Sequence, residues 1–386
     1  MSVSSLPGKA SVVVVGGGVI GTSVAFHLAE AGVPDVVLVE RAALGAGSTS
    51  RAAGGVRAQF SDALNIQLGA RSLRAFAGFG ERPGAEIDFR RVGYLFLLSR
   101  REDVAAFERG VALQNRLGVP SRLIDPAEAR RLSPPVDTDG LLAAAFCPDD
   151  GLATPEAVVQ GYAAGARRHG AHVETGCELQ EVRLGGEAVR AAVTSKGVVE
   201  TPAIVLAAGA WSRRVGAMVG VELPVTPYRR QVLVTEPVPG LPERLPMTID
   251  FASSFYFHRE GPGLLMGMSL EDEPAGFNLD RDDAWLPRLA EVIARRAPSL
   301  AEVGVAGGWA GLYEVTPDHN ALIGEAPRPS RVLYATGFSG HGFLQGPAVG
   351  EVVRDLFLGR PPPVDVAPLA AERFRRGTGR PELNVV

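Results

Sequence analysis

The feature that most constrains this chain is a glycine-rich turn that follows a run of four valines near its start. The run Val12–Val15 is apolar without alternation, which is typical of a parallel strand buried on both faces. Gly16, Gly18 and Gly21 then follow in the spacing G-x-G-x-x-G. Glycines at this spacing allow a tight turn, a close backbone approach to a diphosphate and close packing of the next helix. Residues 20–30 have helical spacing, and a helix N-terminus binds anions, so the stretch predicts a dinucleotide site.

A second strand and an acidic residue favour this interpretation over a purely structural turn. Residues 36–39 form another apolar run that ends at Glu40, whose carboxylate is placed to accept hydrogen bonds from an adenosine ribose. Strand, glycine turn, helix, strand and acid in this order predict a Rossmann-type α/β domain.

Length, charge and composition exclude several classes of protein. A chain of 386 residues that is 46% hydrophobic can bury a large core and has room for a second domain. A formal net charge of -4 without a lysine or arginine run argues against a nucleic-acid partner. Cys147 and Cys177 are too few for a disulfide framework, and no histidine or cysteine spacing suggests a metal site. The lack of a signal-like start and of a membrane-length apolar stretch predicts a cytoplasmic protein.

A loop rich in glycine, alanine and serine extends for about 20 residues beyond Glu40, and loops of that length in compact domains are usually functional. Its small residues would let the backbone lie against a flat or extended cofactor. A mobile surface linker is the alternative, but Arg51 and Arg57 between such small residues favour cofactor contact.

Two later stretches also run from a buried strand into small residues. Residues 203–206 lead into the turn at Gly209, and residues 332–335 lead into a glycine-rich turn before a helix predicted at 347–357. The segments between these stretches contain further strands and helices. The later of the two, at about residues 218–317, is predicted to have mainly antiparallel strands. The predicted cofactor domain therefore comprises residues 1–85, 146–217 and 318–386, and the predicted substrate domain comprises 86–145 and 218–317.

Six stretches in this order resemble the flavoproteins of the D-amino-acid oxidase superfamily. The branch concerned contains monomeric sarcosine oxidase, glycine oxidase and the β subunits of proline dehydrogenase complexes. The stretches are VVVVGGGVIG with Glu40, GAGSTSRAAGGVRAQF, PDDGLATP, VLAAGAWS, GLYEVTPDHNALIG and YATGFSGHGF. The resemblance covers essentially the whole chain. It implies a Rossmann-type, glutathione-reductase-like FAD domain interleaved with an α+β substrate domain that has a mainly antiparallel sheet.

The resemblance implies FAD contacts along all three segments of the cofactor domain. Glu40 is expected at the adenosine ribose, the backbone of Val182 at the adenine, and residues 340–344 at the flavin edge. The residues expected to bind FAD are Gly16, Gly18, Val19, Ile20, Gly21, Glu40, Arg41, Ser48, Thr49, Ser50, Arg51, Ala53, Gly54, Gly55, Val56, Val182, Ala208, Gly209, Trp211, Gly311, Gly337, Ser339, Gly340, His341, Gly342, Phe343 and Leu344.

The departures from the family pattern are informative. Some relatives attach the flavin covalently through a cysteine or a histidine, at positions matched here by Gly311 and Arg51, so non-covalent FAD is expected. Sarcosine-oxidase-like members hold the substrate carboxylate with basic residues at positions matched by Leu344 and Phe60. Because a buried carboxylate without a counter-charge is costly, Arg57 or another arginine is expected to take over, or the substrate is not a simple small amino acid. Proline-dehydrogenase-like relatives also have an apolar residue in that turn, which suggests closer kinship there.

Four residues are candidates for the catalytic site: Arg57, Tyr256, Tyr313 and His341. His341 is expected near the flavin, more as a polar contact than as a proton carrier, although it could be a loop histidine bonded to backbone. Arg57 could face the substrate or the surface. The tyrosines could close the pocket by aromatic contact or belong to the core. His258 lies two residues after Tyr256 on a predicted strand and is a weaker candidate.

The expected reaction is oxidation of an amine or amino acid, secondary, N-methylated or proline-like, to an imine by hydride transfer to flavin N5. Sarcosine-oxidase-like relatives activate oxygen with a lysine whose place is taken here by Leu265. A dehydrogenase that passes electrons to another acceptor, such as a partner subunit, is therefore expected, unless another cation substitutes. The alternatives are a flavin enzyme for a 2-hydroxy acid and an FAD-bound scaffold protein without turnover.

Overall fold

A computed structural model describes residues 6–385 of the chain. The strands in chain order are β1 (Val12–Val15), β2 (Val36–Glu40), β3 (Gly55–Val56), β4 (Tyr94–Leu98), β5 (Arg122–Ile124), β6 (Ala143–Cys147), β7 (Gly151–Leu152), β8 (His172–Thr175), β9 (Leu179–Gly185), β10 (Ala188–Thr194), β11 (Gly197–Glu200), β12 (Ile204–Leu206), β13 (Thr226–Thr235), β14 (Met247–Asp250), β15 (Phe255–Glu260), β16 (Gly263–Gly267), β17 (Val305–Val315), β18 (Leu322–Glu325) and β19 (Val332–Thr336). The helices are α1 (Val19–Glu30), α2 (Ala63–Ala77), α3 (Arg101–Arg116), α4 (Pro126–Leu132), α5 (Pro155–Arg168), α6 (Ser212–Ala217), α7 (Leu286–Arg296) and α8 (Gly342–Phe357).

The valine run forms a central strand of a six-stranded sheet with the order β18-β19-β12-β1-β2-β8. Its pairings are parallel except for β18 with β19 at one edge. Val12 and Val14 pack in the core with α1, α5 and α8, whereas Val13 and Val15 pack in the core formed with β9 to β11. Both faces of β1 are therefore covered, which explains why the strand is continuously apolar. The predicted Rossmann-type domain is confirmed.

The second large sheet is antiparallel apart from the parallel pair β14 and β4, and its order is β17-β13-β16-β15-β14-β4-β6-β5. One face packs with α7 in a core that contains Trp285 and Leu289. The other face carries Tyr94, Tyr256 and Val232, which line a cavity against the Rossmann-type sheet. The mainly antiparallel sheet of the predicted substrate domain is thus confirmed.

Several predicted boundaries differ from the structure. Helix α8 begins at Gly342, more than a turn before the predicted start at Pro347, so this proline lies inside the helix. The residues before Pro347 still bury apolar side chains, among them Phe343 and Leu344. The proposed domain boundary at residue 146 falls within β6, whose residues pair with β4 and β5 in the antiparallel sheet. No helix in residues 6–385 is both long and apolar enough to cross a membrane.

Strands β13 and β17 form one long antiparallel pair, although they are far apart in the sequence. β13 begins at Thr226, well before the apolar residues 232–234 in its own sequence, and the strand β17 was not among the predicted elements. The early part of β13 contains Tyr228, Arg229 and Arg230, so it lacks the apolar pattern of a buried strand. Its conformation is stabilised instead by backbone pairing with β17 along nearly its whole length.

Candidate active site

The glycine turn between β1 and α1 leaves an open cradle at the helix N-terminus. Gly16 has φ +110, and a Cβ there would lie 2.3 Å from the carbonyl oxygen of Ala207. A Cβ at Gly21 would lie 1.8 Å from the carbonyl oxygen of Gly16. Gly18 meets only the hydroxyl of Thr49, at 3.1 Å, and lines the cavity. Gly16 and Gly21 are thus required by the protein itself, whereas the room left at Gly18 opens into the cavity.

Glu40 lies at the end of β2 and lines the same cavity. One of its carboxylate oxygens accepts a hydrogen bond from the N–H of Gly17 at 2.7 Å, and the other accepts from the N–H of Ala42 at 2.8 Å. Each carboxylate oxygen can accept more than one hydrogen bond, so the group retains capacity for ribose hydroxyls. The carboxylate is held in place by the turn that it is predicted to serve.

Arg41 and Trp211 line the cavity, and the Trp211 indole contacts both Arg41 and Phe277. The guanidinium carbon of Arg41 lies 3.8 Å from the centroid of the Trp211 ring. On the same indole, Phe277 stacks at a centroid distance of 5.3 Å. The segment between β16 and α7 therefore contacts the turn that follows β12.

Gly311 and Arg51 lie next to each other on the cavity wall. A Cβ at Gly311 would be 2.9 Å from the Cβ of Arg51, and Arg51 donates a hydrogen bond of 2.7 Å to the carbonyl of Ala310. The two positions at which relatives are expected to attach the flavin covalently are thus adjacent, and neither residue is a cysteine or a histidine.

Most residues predicted to bind FAD line this single cavity. They are Gly16, Gly18, Val19, Ile20, Glu40, Arg41, Ser48, Thr49, Arg51, Ala53, Gly54, Gly55, Ala208, Gly209, Trp211, Gly311, Gly340, His341, Gly342, Phe343 and Leu344. Those that do not line it are Gly21, Ser50, Val56, Val182, Gly337 and Ser339. Val182 is buried within β9 and does not line the cavity, whereas residues 177–179 do, and its backbone contact with adenine stays a prediction. Gly337 and Ser339 have positive φ angles and shape the turn before α8.

The candidate catalytic tyrosines are joined in the cavity by a third, Tyr94 on β4, which the sequence analysis missed. Each ring fills the space beside a glycine: Tyr94 at Gly55, Tyr256 at Gly267 and Tyr313 at Gly340. Burial raises the pKa of all three phenols above the ordinary value. Near neutral pH these side chains are therefore uncharged hydrogen-bond donors and apolar walls.

Arg57 is buried and lines the cavity, but most of its donors bind protein atoms. Its guanidinium donates to the carbonyls of Gln59 and Asn384, the latter at 2.6 Å, and lies 3.2 Å from Nε2 of His341. The ring of Phe60 lies under it at 4.1 Å. Arg57 is thus a central part of the site, with limited capacity to bind a substrate anion.

Arg230 on β13 is a second arginine in the cavity and was not identified from the sequence. It pairs in register with Gly311, and its guanidinium carbon lies 5.3 Å from the centroid of the Tyr313 ring. One of its terminal nitrogens donates to the carbonyl of Arg229 at 2.9 Å, whereas its buried Nε has no partner among residues 6–385. No acidic side chain of the described chain forms a salt bridge with it. Arg230 can therefore accept an anionic group from a ligand.

Two other candidates do not reach the cavity. Leu265, predicted at the place of an oxygen-activating lysine, is buried in β16 and does not line the cavity. His258 is also absent from the lining, and its Nδ1 lies 2.9 Å from the carbonyl oxygen of Arg259. Burial lowers the pKa of His258 to about 4, so it is a neutral residue of the protein interior.

Comparison with known proteins identifies the family. Residues 11–356 match the family described as FAD dependent oxidoreductase. The chain belongs to this family. Its FAD-binding fold is also found in the crystal structure of L-proline dehydrogenase from P. horikoshii, which is 33% identical with a TM-score of 0.91 over 97% of this chain and 100% of that one. Glycine oxidase from Geobacillus kaustophilus is 26% identical with a TM-score of 0.83, over 94% and 98% of the two chains.

Curated relatives include mitochondrial dimethylglycine dehydrogenase of Mus musculus and mitochondrial sarcosine dehydrogenase of Homo sapiens, each 30% identical. The matches cover 96% and 92% of this chain but only 45% and 40% of those proteins, so the chain spans less than half their length. FAD-dependent oxidoreductase domain-containing protein 1 of Bos taurus is 32% identical over 96% of this chain and 86% of its own length.

The residues of the cavity fit FAD, the cofactor of this family. A Cβ at Gly18 would fill the cradle and meet the hydroxyl of Thr49, and the cradle opens at the N-terminus of α1, where a diphosphate would be stabilised. Glu40 would supply the acceptor for a ribose. The first turn of α8, which also lines the cavity, would place the positive end of its helix dipole towards a bound flavin.

Proposed function

We propose that this chain oxidises an amino acid with a secondary or N-methylated amine, of the sarcosine or proline type, to an imine. The observation that carries the proposal is the content of the cavity beyond the cofactor cradle. There it is lined by Tyr94, Tyr256, Tyr313 and Arg230, which combine apolar walls with one cation that has an unpartnered donor. These groups suit a small molecule with a carboxylate and an apolar body.

The relatives support the same substrate class. Their names refer to L-proline, dimethylglycine, sarcosine and glycine, all of which are small α-amino acids, and the first three carry alkylated amines. The likeness to L-proline dehydrogenase extends over nearly the whole of both chains. Because the chain spans less than half of dimethylglycine and sarcosine dehydrogenases, only the oxidative step is carried over from those two.

In the proposed mechanism, Arg230 binds the substrate carboxylate and the tyrosine rings hold the aliphatic part. FAD, which we propose is bound non-covalently, would supply the hydride acceptor at N5 for oxidation at the carbon next to the amine. A free amine has a pKa of about 10, so the site must favour its neutral form. The three buried phenols and the apolar walls lower the stability of an ammonium group by desolvation, without a dedicated base. We further propose that the electrons leave to an acceptor other than oxygen, such as a partner subunit.

Anaerobic mixing with a panel of substrates tests the proposal. L-proline, sarcosine or dimethylglycine should bleach the flavin absorbance, and L-lactate and other 2-hydroxy acids should not. Bleaching by hydroxy acids alone would support the alternative flavin enzyme. A flavin that dithionite reduces but no amine or hydroxy acid does would support a scaffold function and contradict the proposal.

A further inference from the structure

A second acidic residue lines the cavity at Glu314, on β17, and was not identified from the sequence. Glu314 follows Tyr313 and lines the cavity, although its side chain is only 8% exposed. Its backbone is fixed because its carbonyl accepts a hydrogen bond of 3.0 Å from the N–H of Ser339. The backbone from which this side chain extends is thus tied to the turn before α8.

The surroundings of the Glu314 carboxyl place it between two parts of the cofactor cradle. One oxygen accepts a hydrogen bond of 3.1 Å from the hydroxyl of Ser48, next to Thr49 at the α1 N-terminus. The other oxygen lies 3.5 Å from the position of a Cβ at Gly342, the first residue of α8. Glu314 therefore touches both the segment expected at the diphosphate and the helix expected at the flavin.

The charges and the burial around the Glu314 carboxyl determine whether it is ionised. The titratable or charged side chains on the elements that pack around it are Tyr313, His341 and Arg51, together with Tyr228, Arg229 and Arg230 on the paired strand β13. None of them forms a salt bridge with Glu314 among residues 6–385, and the acidic partners of Arg229 are Glu273 and Asp282. The first turn of α8 would favour an ionised carboxylate. Burial opposes this and raises the pKa of Glu314 to about 7. The negative charges of a bound diphosphate would raise it further.

We propose that Glu314 is a cofactor-binding residue that donates a hydrogen bond, as a neutral acid, to an oxygen atom of bound FAD. Glu40 and Glu314 then have opposite roles, since Glu40 accepts hydrogen bonds as a carboxylate and Glu314 donates one as an acid. The inference depends on FAD binding alone and not on the substrate proposed above, so amino acids that fail to reduce the flavin would not affect its test.

The test is titration of the apoprotein with FAD at several pH values, followed by flavin fluorescence. Because FAD is proposed to bind the form in which Glu314 is protonated, its affinity for the apoprotein should be high below the pKa of Glu314 and should fall as the pH rises through that pKa. With a pKa of about 7 in the free site, wild-type affinity should fall roughly 30-fold between about pH 6 and about pH 8.5. Glu314→Gln retains a donor at every pH and should show a flat profile. Glu325→Gln, a control on β18 outside the cavity, should behave as the wild type.

Two outcomes would overturn the inference. One is a Glu314→Gln profile that falls with pH in parallel with the wild type. The other is a folded Glu314→Leu variant that binds FAD as tightly as the wild type at about pH 6, where we expect a loss of roughly tenfold or more. If the leucine variant does not fold, the comparison of the wild type with Glu314→Gln still decides the question.

Discussion

A terminal nitrogen of Arg57 lies 3.2 Å from Nε2 of His341, deep in the cavity. An arginine can only donate hydrogen bonds, so Nε2 must accept, and we assign the imidazole as neutral with its proton on Nδ1. Burial and the charge of Arg57 both lower the pKa of His341 well below its usual value. His341 is therefore a partner that orients Arg57, and Nε2 is unable to act as an acid.

Substitutions at His341 test this assignment. Glutamine places an amide oxygen near the position of Nε2, so His341→Gln should keep the hydrogen bond and most of the stability. His341→Leu leaves a donor of a buried cation unpaired and should lower the free energy of unfolding by about 1 to 3 kcal/mol, measured by urea denaturation. If both variants unfold like the wild type but lose flavin reduction equally, His341 acts on the substrate directly.

Arg230→Met tests the carboxylate anchor. Loss of a charge-assisted hydrogen bond of about 1.5 to 3 kcal/mol should raise the L-proline concentration that half-saturates flavin reduction roughly 10- to 100-fold. The limiting rate should change less. Pyrrolidine lacks the carboxylate, so it should reduce the wild type and the variant at similar concentrations.

Arg259→Met is a matched control on β15, because Arg259 does not line the cavity. It should leave the half-saturating concentration unchanged. An Arg230→Met variant with wild-type affinity for L-proline would reject the anchor, and Arg57, the arginine proposed from the sequence, would be tested next.

The cofactor half of the site could be predicted from sequence because it is encoded locally. The spacing of Gly16, Gly18 and Gly21 and the position of Glu40 specify a turn, a helix N-terminus and an acceptor within about one βαβ half-unit, without any knowledge of distant pairing. The steric reasons given for Gly16 and Gly21 agree with the atoms that a side chain there would strike.

The substrate half could not be predicted in this way because it depends on register between distant strands. Arg230 enters the cavity opposite Gly311 only because β13 and β17 pair over most of their length. Glu314 follows a predicted tyrosine, but nothing in the local pattern reveals that its carboxyl group faces Ser48. Leu265 was expected at the place of an oxygen-activating lysine, but the residue of this strand that lies against the ring of Tyr256 is Gly267.

Glu40→Gln should weaken FAD binding. An amide accepts hydrogen bonds from ribose hydroxyls less strongly, and its NH₂ would also face one of the N–H groups of Gly17 and Ala42 that the carboxylate now binds. A charge-assisted hydrogen bond contributes about 1.5 to 3 kcal/mol, and part of this binding free energy should be lost. The dissociation constant from apoprotein titration should therefore rise roughly tenfold. Unchanged affinity would show that Glu40 does not contact the cofactor.

Acid precipitation of the purified yellow protein should release all of its flavin into the supernatant as FAD. The basis is that Gly311 and Arg51, which are adjacent in the cavity, provide no nucleophile for a covalent bond. Flavin that stays with the pellet after thorough denaturation would contradict the non-covalent assignment, and peptide mapping would then locate the attachment.

The reduced enzyme should react slowly with oxygen. A cation beside the flavin stabilises developing superoxide, and such electrostatic effects are large in a buried site. Leu265 supplies no charge and does not line the cavity, and on the same strand the space beside Gly267 is filled by the ring of Tyr256. Arg230 is the cation on this wall, and in the proposed mechanism the substrate or product carboxylate neutralises it.

Two lysine variants separate the effect of charge from that of position. Leu265→Lys should leave the rate of reoxidation by oxygen unchanged, because residue 265 lies outside the cavity. Val232 lines the cavity and pairs with Gly267, so Val232→Lys should place an ammonium group in the site and accelerate reoxidation. Stopped-flow mixing of each reduced protein with oxygen gives the rates, and the flavin spectrum checks that cofactor is retained. Wild-type reoxidation by oxygen that outpaces turnover with artificial acceptors would mean that the enzyme is an oxidase, with Arg230 as the cation that activates oxygen.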